Sequence, residues 1–288
     1  MKKPLVIAHR GASGYRPENT IEAFQLGLAQ GADGIEFDLV TTKDQELIIR
    51  HENALSGTTD VATQSVFSAR KRIGLVEDAQ RFDWYSEDFE LAEIKMLRAK
   101  ERLPESRSGS AKFDGQFEIP TLNELLAQDF LRDKLVVCEI KVGSYLTNLS
   151  SSIEELLAEK LKLSSRVSNL IIESFSLDIL LSCRGSLEAK GIQARYFYLL
   201  EHDKSEEMTK HLGQLDGISI SLGMLFSEFD WVDFAHKYGK QIWVYTARAE
   251  EADTSIEAYY EKIIQTGVDG IFADQPDLLR RVLEDRAG

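Results

Sequence analysis

Short apolar strands alternate with helical patterns from one end of the chain to the other, and this alternation constrains the fold more than any other feature. Strands are predicted at residues 5–8, 34–39, 135–139, 170–173, 193–199, 217–221, 241–245 and 270–272. Another apolar run, at 46–50, extends the second strand or pairs with it. Near-continuous apolar strands that are joined through helices are typical of a parallel sheet buried on both faces.

Helices are predicted between these strands, and capping residues mark several of their starts. Asn19 and Glu22 have capping-box spacing before a helix at 21–30, as do Ser152 and Glu155 before a helix that ends at 162. Further helices are predicted at 177–190, 228–238, 254–265 and 277–285.

Eight parallel strands are the number that closes a barrel, so the predicted fold is an α/β protein of the TIM (β/α)8 type. The structural alternative is an open, doubly wound sheet. No Gly-x-Gly-x-x-Gly fingerprint follows the first strand, which weighs against that alternative.

One connection is much longer than the others. Roughly 80 residues separate His51 from Leu135, whereas a plain βα unit needs about 30. This stretch contains one predicted helix at 89–97 and a second that begins at Thr121, where Glu124 completes a capping box. We interpret residues 53–118 as an insertion after strand 2 within a single domain, 1–288. In a barrel such an insertion projects from the C-terminal face, where substrates bind.

The charge balance limits the possible partners. The chain carries 34 Lys and Arg against 48 Asp and Glu, a net charge of −14. Nucleic-acid binding is disfavoured because it needs a basic surface, and an anionic ligand would require locally concentrated positive charge or a metal ion. The two cysteines, Cys138 and Cys183, lie in apolar runs and indicate neither a disulfide framework nor a zinc site. No feature indicates a protein partner, and the oligomeric state stays open.

No membrane anchor is expected, because no apolar run reaches the ~18 residues of a transmembrane helix. The apolar run at 5–8 is also shorter than the ~7 residues that a secretion signal needs. The expected location is therefore the cytoplasm. A periplasmic location stays open, because a signal removed before expression would leave the same sequence.

Three acidic residues lie at the ends of predicted strands. Glu36 and Asp38 are two apart on the second strand and therefore point to the same face, and Glu139 ends a neighbouring strand. Carboxylates on one buried face repel unless a cation lies between them. Three oxygen donors without a thiol favour one hard divalent cation, Mg²⁺ or Ca²⁺. Solvated acids at a strand end are the simpler alternative for Glu36 and Asp38 alone.

Two of the five histidines also follow strands. His9 and His51 would lie across one pocket in a barrel, and imidazoles are suited to proton transfer near neutral pH. The other three histidines are interpreted as surface residues: His202, His211 and His236. A structural role is the alternative for either His9 or His51 taken alone.

Two cations accompany these groups. Arg10 follows His9, and Lys141 lies two residues after Glu139. Arginine and lysine bind phosphate oxygens, although both side chains could instead pair with the acids. A metal, two imidazoles, an arginine and a lysine at one pocket would be suited to displacing an alcohol from a phosphodiester.

These motifs resemble the glycerophosphodiester phosphodiesterase family, and the resemblance runs from the first strand to the last. The insertion is similar to that of the bacterial branch usually found in the periplasm. The residues that carry the resemblance are His-Arg-Gly at 9–11, Pro-Glu-Asn-Thr at 17–20, Gly-Ala-Asp-Gly-Ile-Glu-Phe-Asp at 31–38, His51, Glu-Ile-Lys at 139–141 and Gly-Val-Asp-Gly-Ile-Phe-Ala-Asp-Gln-Pro at 267–276.

The resemblance implies a TIM barrel, one bound Ca²⁺ or Mg²⁺, and a role for each matching residue. It implies cleavage of a small-molecule glycerophosphodiester, such as glycerophosphocholine or glycerophosphoethanolamine, to an alcohol and sn-glycerol 3-phosphate through a cyclic phosphate. The implied roles are metal binding for Glu36, Asp38 and Glu139, acid–base catalysis for His9 and His51, phosphate binding for Arg10 and Lys141, and a position near the substrate for Glu18.

The sequence departs from the family pattern at several positions. Glu52 stands where the family usually has Asp, and Gly57 where Arg is common. Tyr-Thr-Ala-Arg at 245–248 replaces the usual Trp-Thr-Val-Asn, so the headgroup preference is not implied. Two alternatives stay open, a phosphodiesterase that acts on intact or lysophospholipids and a non-catalytic barrel that binds a glycerophosphate ligand.

Overall fold

The computed structural model describes residues 3–76, 79–141, 146, 149–164, 167–202 and 205–286. Its strands, in chain order, are β1 (Leu5–His9), β2 (Gly34–Thr41), β3 (Leu47–Ile49), β4 (Arg72–Val76), β5 (Ala79–Asp83), β6 (Leu135–Ile140), β7 (Asn169–Ser174), β8 (Arg195–Leu200), β9 (Gly217–Ser221), β10 (Gln241–Ala247) and β11 (Gly270–Ala273). Its α-helices are α1 (Ile21–Ala29), α2 (Leu91–Ile94), α3 (Ser108–Ala111), α4 (Leu122–Leu126), α5 (Ile153–Lys162), α6 (Leu177–Ala189), α7 (Ser205–His211), α8 (Leu222–Leu225), α9 (Trp231–Lys237), α10 (Ile256–Gln265) and α11 (Pro276–Asp285).

Eight of these strands form a closed parallel barrel. The order is β1-β11-β10-β9-β8-β7-β6-β2, and β1 also pairs with β2, which closes the ring. The predicted TIM barrel is therefore confirmed and the open doubly wound sheet is wrong. The run at 46–50 forms β3, which pairs with β2 in the antiparallel direction.

The barrel has two apolar layers because successive side chains of a strand point to opposite faces. The inner layer fills the barrel and centres on Trp243, whose ring lies 4.8 Å from Phe197 and 5.6 Å from Phe272 between ring centroids. Glycine is needed beside this ring, because a Cβ at Gly270 would lie 2.7 Å from Trp243. The outer layer lies between the strands and the helices, and includes Val6 on β1.

One predicted helix cap is corrected. Thr20, not Asn19, caps α1 by accepting a hydrogen bond from the backbone N–H of Ala23. Asn19 instead adopts φ of 59° and donates a hydrogen bond to Asp38 at 2.8 Å, so its side chain is not available for capping. The capping box predicted at Thr121 and Glu124 is confirmed, and Ser152 caps α5 by accepting a hydrogen bond from the backbone N–H of Glu155.

The insertion contains less helix than predicted and a hairpin that the sequence analysis missed. The helix predicted at 89–97 is a single turn, α2, because residues 98 and 99 enter β-bridges with Glu118 and Thr59. β4 and β5 form an antiparallel hairpin in which Ile73 faces Phe82. Apolar residues of the insertion pack in one cluster with Val40 of β2, so the insertion is anchored on the barrel. None of the described helices is long and apolar enough to span a membrane.

The barrel interior predicts a large stability effect at Trp243. Trp243→Ala is expected to lower the free energy of unfolding by about 3–5 kcal/mol, because the cavity would be enclosed by rigid strands. Urea denaturation followed by circular dichroism measures this. Leu163→Ala, at a side chain that is 85% exposed, is the control and should change stability by less than ~0.5 kcal/mol. Equal effects at both positions would contradict the packing described.

Candidate active site

The carboxyl ends of the first strands bring the predicted site residues together. In the parallel register His9 lies beside Glu36, and Asp38 lies beside Glu139. His51 follows β3, which is paired with the end of β2. One cavity of about 270 Å³ is lined by both histidines and by Glu36 and Glu139.

The three predicted metal-binding acids converge at the edge of this cavity. One carboxylate oxygen from each of Glu36, Asp38 and Glu139 lies within 4.8 Å of the others, and all three side chains are buried. Lys141 Nζ lies 3.0 Å from Asp38 Oδ1 and 2.6 Å from Glu139 Oε1. The backbone N–H of Arg10 donates to Glu36 Oε2 at 2.8 Å. The acids therefore form one cluster with partial neutralisation by cations.

The shifted pKa values of the three acids indicate that their negative charge is only partly compensated. Burial, reinforced by the charge of Asp38, raises the pKa of Glu36 well above its ordinary value. Burial also raises the pKa of Glu139 to about 7, although Lys141 opposes this. The pKa of Asp38 is lowered despite burial, because Lys141 and Arg10 hold its carboxylate charged. A bound cation would reduce the electrostatic repulsion among these buried carboxylates.

The cluster fits a hard divalent cation. Glu36 Oε1 is buried and has no hydrogen-bond partner among the described residues. Calcium–oxygen distances allow two ligands of one ion to lie up to about 5 Å apart, which accommodates the spacing in the cluster. The donors are all carboxylate oxygens, the ligand type that both Mg²⁺ and Ca²⁺ prefer.

His9 is held by an acid at the end of the last barrel strand. Its Nδ1 lies 2.6 Å from Oδ1 of Asp274, and its Nε2 lies 3.5 Å from Oγ1 of Thr246. Burial and the charge of Arg10 lower the pKa of His9. A neutral ring that donates its Nδ1–H to Asp274 carries its lone pair on Nε2, the nitrogen that can accept a proton.

His51 has the same arrangement with its sequence neighbour. Its Nδ1 lies 2.7 Å from Oε2 of Glu52. Burial, followed by the charges of Arg10 and Lys141, lowers the pKa of His51 to about 4. The lowered pKa values favour the neutral form of both imidazoles, and each ring is oriented through Nδ1 by a carboxylate.

The other predicted residues divide between two cavities. Arg10 and Lys141 line the 270 Å³ cavity with the histidines. Glu18 lines an adjoining cavity of about 350 Å³ instead, which shares His9 and Arg10 with the first. Glu18 accepts hydrogen bonds from Arg10 at 3.2 Å and from Arg102 at 2.7 Å.

The three histidines interpreted as surface residues lie outside the site. His202 is exposed and His211 is half-buried. His236 is 43% exposed at its side chain and contacts Asp269, at the opposite end of β11 from Asp274.

The sequence analysis gave no role to four polar residues around the site. Asn19 contacts Asp38, Asp274 contacts His9, Arg102 contacts Glu18, and Arg107 contacts Asp274. Asp274 had a detectable signal, because it directly follows the last strand and so lies at the same barrel end as His9. The two arginines had none, since they lie in an irregular part of the insertion.

Comparison with known proteins identifies the family. A model described as the glycerophosphoryl diester phosphodiesterase family matches residues 9–278. The chain belongs to this family. It is therefore a phosphoric diester hydrolase.

Individual relatives of this hydrolase agree in sequence and fold. A glycerophosphodiester phosphodiesterase of Caldanaerobacter subterraneus subsp. tengcongensis is 30% identical over 285 residues, which covers 96% of each chain. A glycerophosphodiester phosphodiesterase of Arabidopsis thaliana is 38% identical over 125 residues, 43% of this chain and 33% of that protein. The structure of an Oleispira antarctica phosphodiesterase in complex with the product sn-glycerol-3-phosphate is 23% identical and superposes with a TM-score of 0.71, covering 98% of this chain and 97% of that one.

The contact between His9 and Asp274 predicts a loss of phosphodiester hydrolysis in Asp274→Asn. The amide can present an N–H to Nδ1, which favours the wrong tautomer of the ring, so turnover should fall about 10²-fold or more. Steady-state kinetics on a glycerophosphodiester measures this.

The control is Asp269→Asn, which alters the aspartate that contacts His236 at the other end of the same strand. This variant should keep near wild-type turnover. Unchanged turnover in Asp274→Asn would show that Asp274 does not orient the ring.

Proposed function

We propose that the protein hydrolyses glycerophosphodiesters such as glycerophosphocholine and glycerophosphoethanolamine to an alcohol and sn-glycerol 3-phosphate. The observation that carries the proposal is that two imidazoles, each held by a carboxylate, converge on one cavity. The acidic cluster, an arginine and a lysine lie at the same cavity. The structural relative that holds sn-glycerol-3-phosphate as its product supports the same substrate class.

Metal dependence is part of this proposal. Glu36, Asp38 and Glu139 would hold one Ca²⁺ or Mg²⁺. When bound, the ion would polarise the phosphoryl group and offset its negative charge. The ligand types do not distinguish the two metals, because both prefer carboxylate oxygens.

Two side chains of the cavity would bind the phosphate. Arg10 offers a planar guanidinium beside Glu18 and Asp38, and Lys141 offers an ammonium between Asp38 and Glu139. Fixed positive groups of this kind stabilise the charge that develops on phosphoryl oxygens during substitution. Glu18 would support the substrate end of the cavity by holding Arg10 in place.

The two imidazoles would exchange protons with the substrate in two steps. In the first, Nε2 of one ring removes the proton of the glycerol hydroxyl next to the phosphate, and that oxygen bonds to phosphorus. The bond from phosphorus to the departing alcohol breaks, and the other ring, protonated beside the anionic phosphate, gives its proton to that alcohol.

The second step reverses these roles and restores the starting state. The ring that gave its proton now takes one from water, whose oxygen attacks the cyclic phosphate. The first ring returns its proton to the glycerol oxygen as the ring P–O bond breaks. The protons balance over the two steps, and sn-glycerol 3-phosphate is released.

A lysophospholipid is the second candidate substrate. Ile73 and Phe82 face each other on the insertion hairpin and are 68% and 62% exposed, so an apolar surface is available for an acyl chain. The hairpin is connected to the segment after His51, because Asn53 Nδ2 donates to the carbonyl of Leu75 at 3.4 Å.

A substrate panel tests the proposal directly. The metal-supplemented protein should release sn-glycerol 3-phosphate from glycerophosphocholine or glycerophosphoethanolamine, as detected by glycerol-3-phosphate dehydrogenase. Hydrolysis of lysophosphatidylcholine at an equal rate would promote the lipid candidate. Absence of sn-glycerol 3-phosphate from every headgroup, with either metal, would contradict the proposal.

Removing either imidazole should abolish most of this activity. His9→Ala and His51→Ala are each expected to lower turnover ~10²-fold or more, because each removes one proton-transfer group. The same assay measures this, with circular dichroism to confirm folding. His236→Ala, which removes an exposed ring, should retain wild-type rates. Near wild-type turnover in both site variants would rule out the acid–base assignment.

A further inference from the structure

Arg102, in the insertion, contacts the carboxylate that holds His51. Its Nη2 donates to Glu52 Oε2 at 3.0 Å, and the same Glu52 oxygen accepts from His51 at 2.7 Å. Arg102 also binds Glu18 through Nε and Nη2, each at 2.7 Å. The hydrogen bond from His51 and the charge of Arg102 lower the pKa of Glu52 to about 2 despite burial. Arg102 thus fixes both the position and the charge of the group that orients this ring.

Arg107, five residues later, contacts the carboxylate that holds the other imidazole, His9. Its Nη2 donates to Oδ2 of Asp274, whose other oxygen holds His9. Its Nε donates to Glu250 at 2.6 Å, and its Nη1 to the carbonyl of Ser13 at 3.2 Å. The guanidinium therefore joins the loop after β1 and the segments after β10 and β11, the last through Asp274.

The two arginines belong to one short and well-anchored segment. The backbone N–H of Arg107 donates to the carbonyl of Leu103 at 2.8 Å, so residues 103–107 form a closed turn. The Glu101 carboxylate accepts from the N–H of Leu103 at 2.9 Å, and Asp114 accepts from the N–H of Glu101 at 2.7 Å. A displacement of this segment would therefore move both guanidinium groups together.

We propose that residues 102–107, here called the arginine clasp, position both imidazoles by holding the carboxylate partner of each. The insertion would then contribute directly to the orientation of both imidazoles. This inference rests on the proposed acid–base roles of His9 and His51. Arg102 and Arg107 act here as positioning residues, because each reaches the ring only through a carboxylate.

Direct substrate binding is the competing explanation, because both arginines line the 350 Å³ cavity. Each guanidinium, however, already binds two carboxylates, Glu18 and Glu52 for Arg102 and Glu250 and Asp274 for Arg107. The two explanations differ in which kinetic constant changes.

The kinetic test uses Arg102→Gln and Arg107→Gln in the metal-supplemented protein with glycerophosphocholine or glycerophosphoethanolamine. The clasp predicts that kcat falls about 10- to 100-fold while KM stays within about threefold. Arg102→Lys and Arg107→Lys should recover part of kcat, because an ammonium can still bind the carboxylate. The matched control is Arg70→Gln, which breaks a two-point Arg–Glu contact with Glu93 elsewhere in the insertion and should leave kcat unchanged.

A spectroscopic test does not depend on turnover. The chain has five histidines, so ¹⁵N-histidine NMR can resolve each ring. The wild-type protein should show His9 and His51 as neutral rings protonated at Nδ1. Arg102→Gln should reduce this tautomer at His51 alone, and Arg107→Gln at His9 alone.

The outcomes separate the clasp from its alternatives. An increase in KM with unchanged kcat would mean that the arginines bind substrate, and it would overturn the clasp. Unchanged tautomers in both variants would overturn it as well, even if the variants were less stable. If the wild-type protein hydrolysed no glycerophosphodiester but the selective tautomer changes appeared, the clasp would stand and the proposed function would fail.

Discussion

The repulsion among Glu36, Asp38 and Glu139 is the constraint around which the rest of the site is organised. Three buried carboxylates within 4.8 Å of one another would destabilise the barrel if all were charged and uncompensated. Lys141 and the backbone of Arg10 offset part of that charge, and burial raises the pKa of Glu36, which favours its neutral form. This incomplete compensation makes the cluster suited to a divalent cation. The side chains of Arg10 and Lys141 line the same cavity, where a phosphate would bind.

Much of this arrangement could be predicted from the sequence, because it follows from strand periodicity. Residues two apart on β2 share a face, so Glu36 and Asp38 had to point the same way. Parallel strands place their carboxyl ends at one edge, which brought Glu139 and the two histidines to the same cavity. The fold was predictable for the same reason, since buried parallel strands are continuous apolar runs.

The remaining features depend on contacts between distant loops, for which the sequence carries no periodic signal. Arg102 and Arg107 lie in an irregular segment, and only the folded insertion places them against Glu52 and Asp274. The capping error at Asn19 has the same origin, because a tertiary hydrogen bond to the acidic cluster replaced the local one. The insertion was therefore recognisable by its length, whereas its connection to the carboxylates that hold His9 and His51 was not.

Calorimetric titration of metal-free protein with Ca²⁺ and with Mg²⁺ tests most directly whether the three carboxylates form one cation site. At least one ion should bind with a stoichiometry near one, and Glu36→Gln and Glu139→Gln should each weaken binding at least about tenfold. Glu173→Gln is the control, because Glu173 lies beside Glu139 on the next strand but is not one of the three acids whose oxygens converge. Absence of binding at millimolar concentrations of either ion, or equal binding by all the variants, would contradict the account.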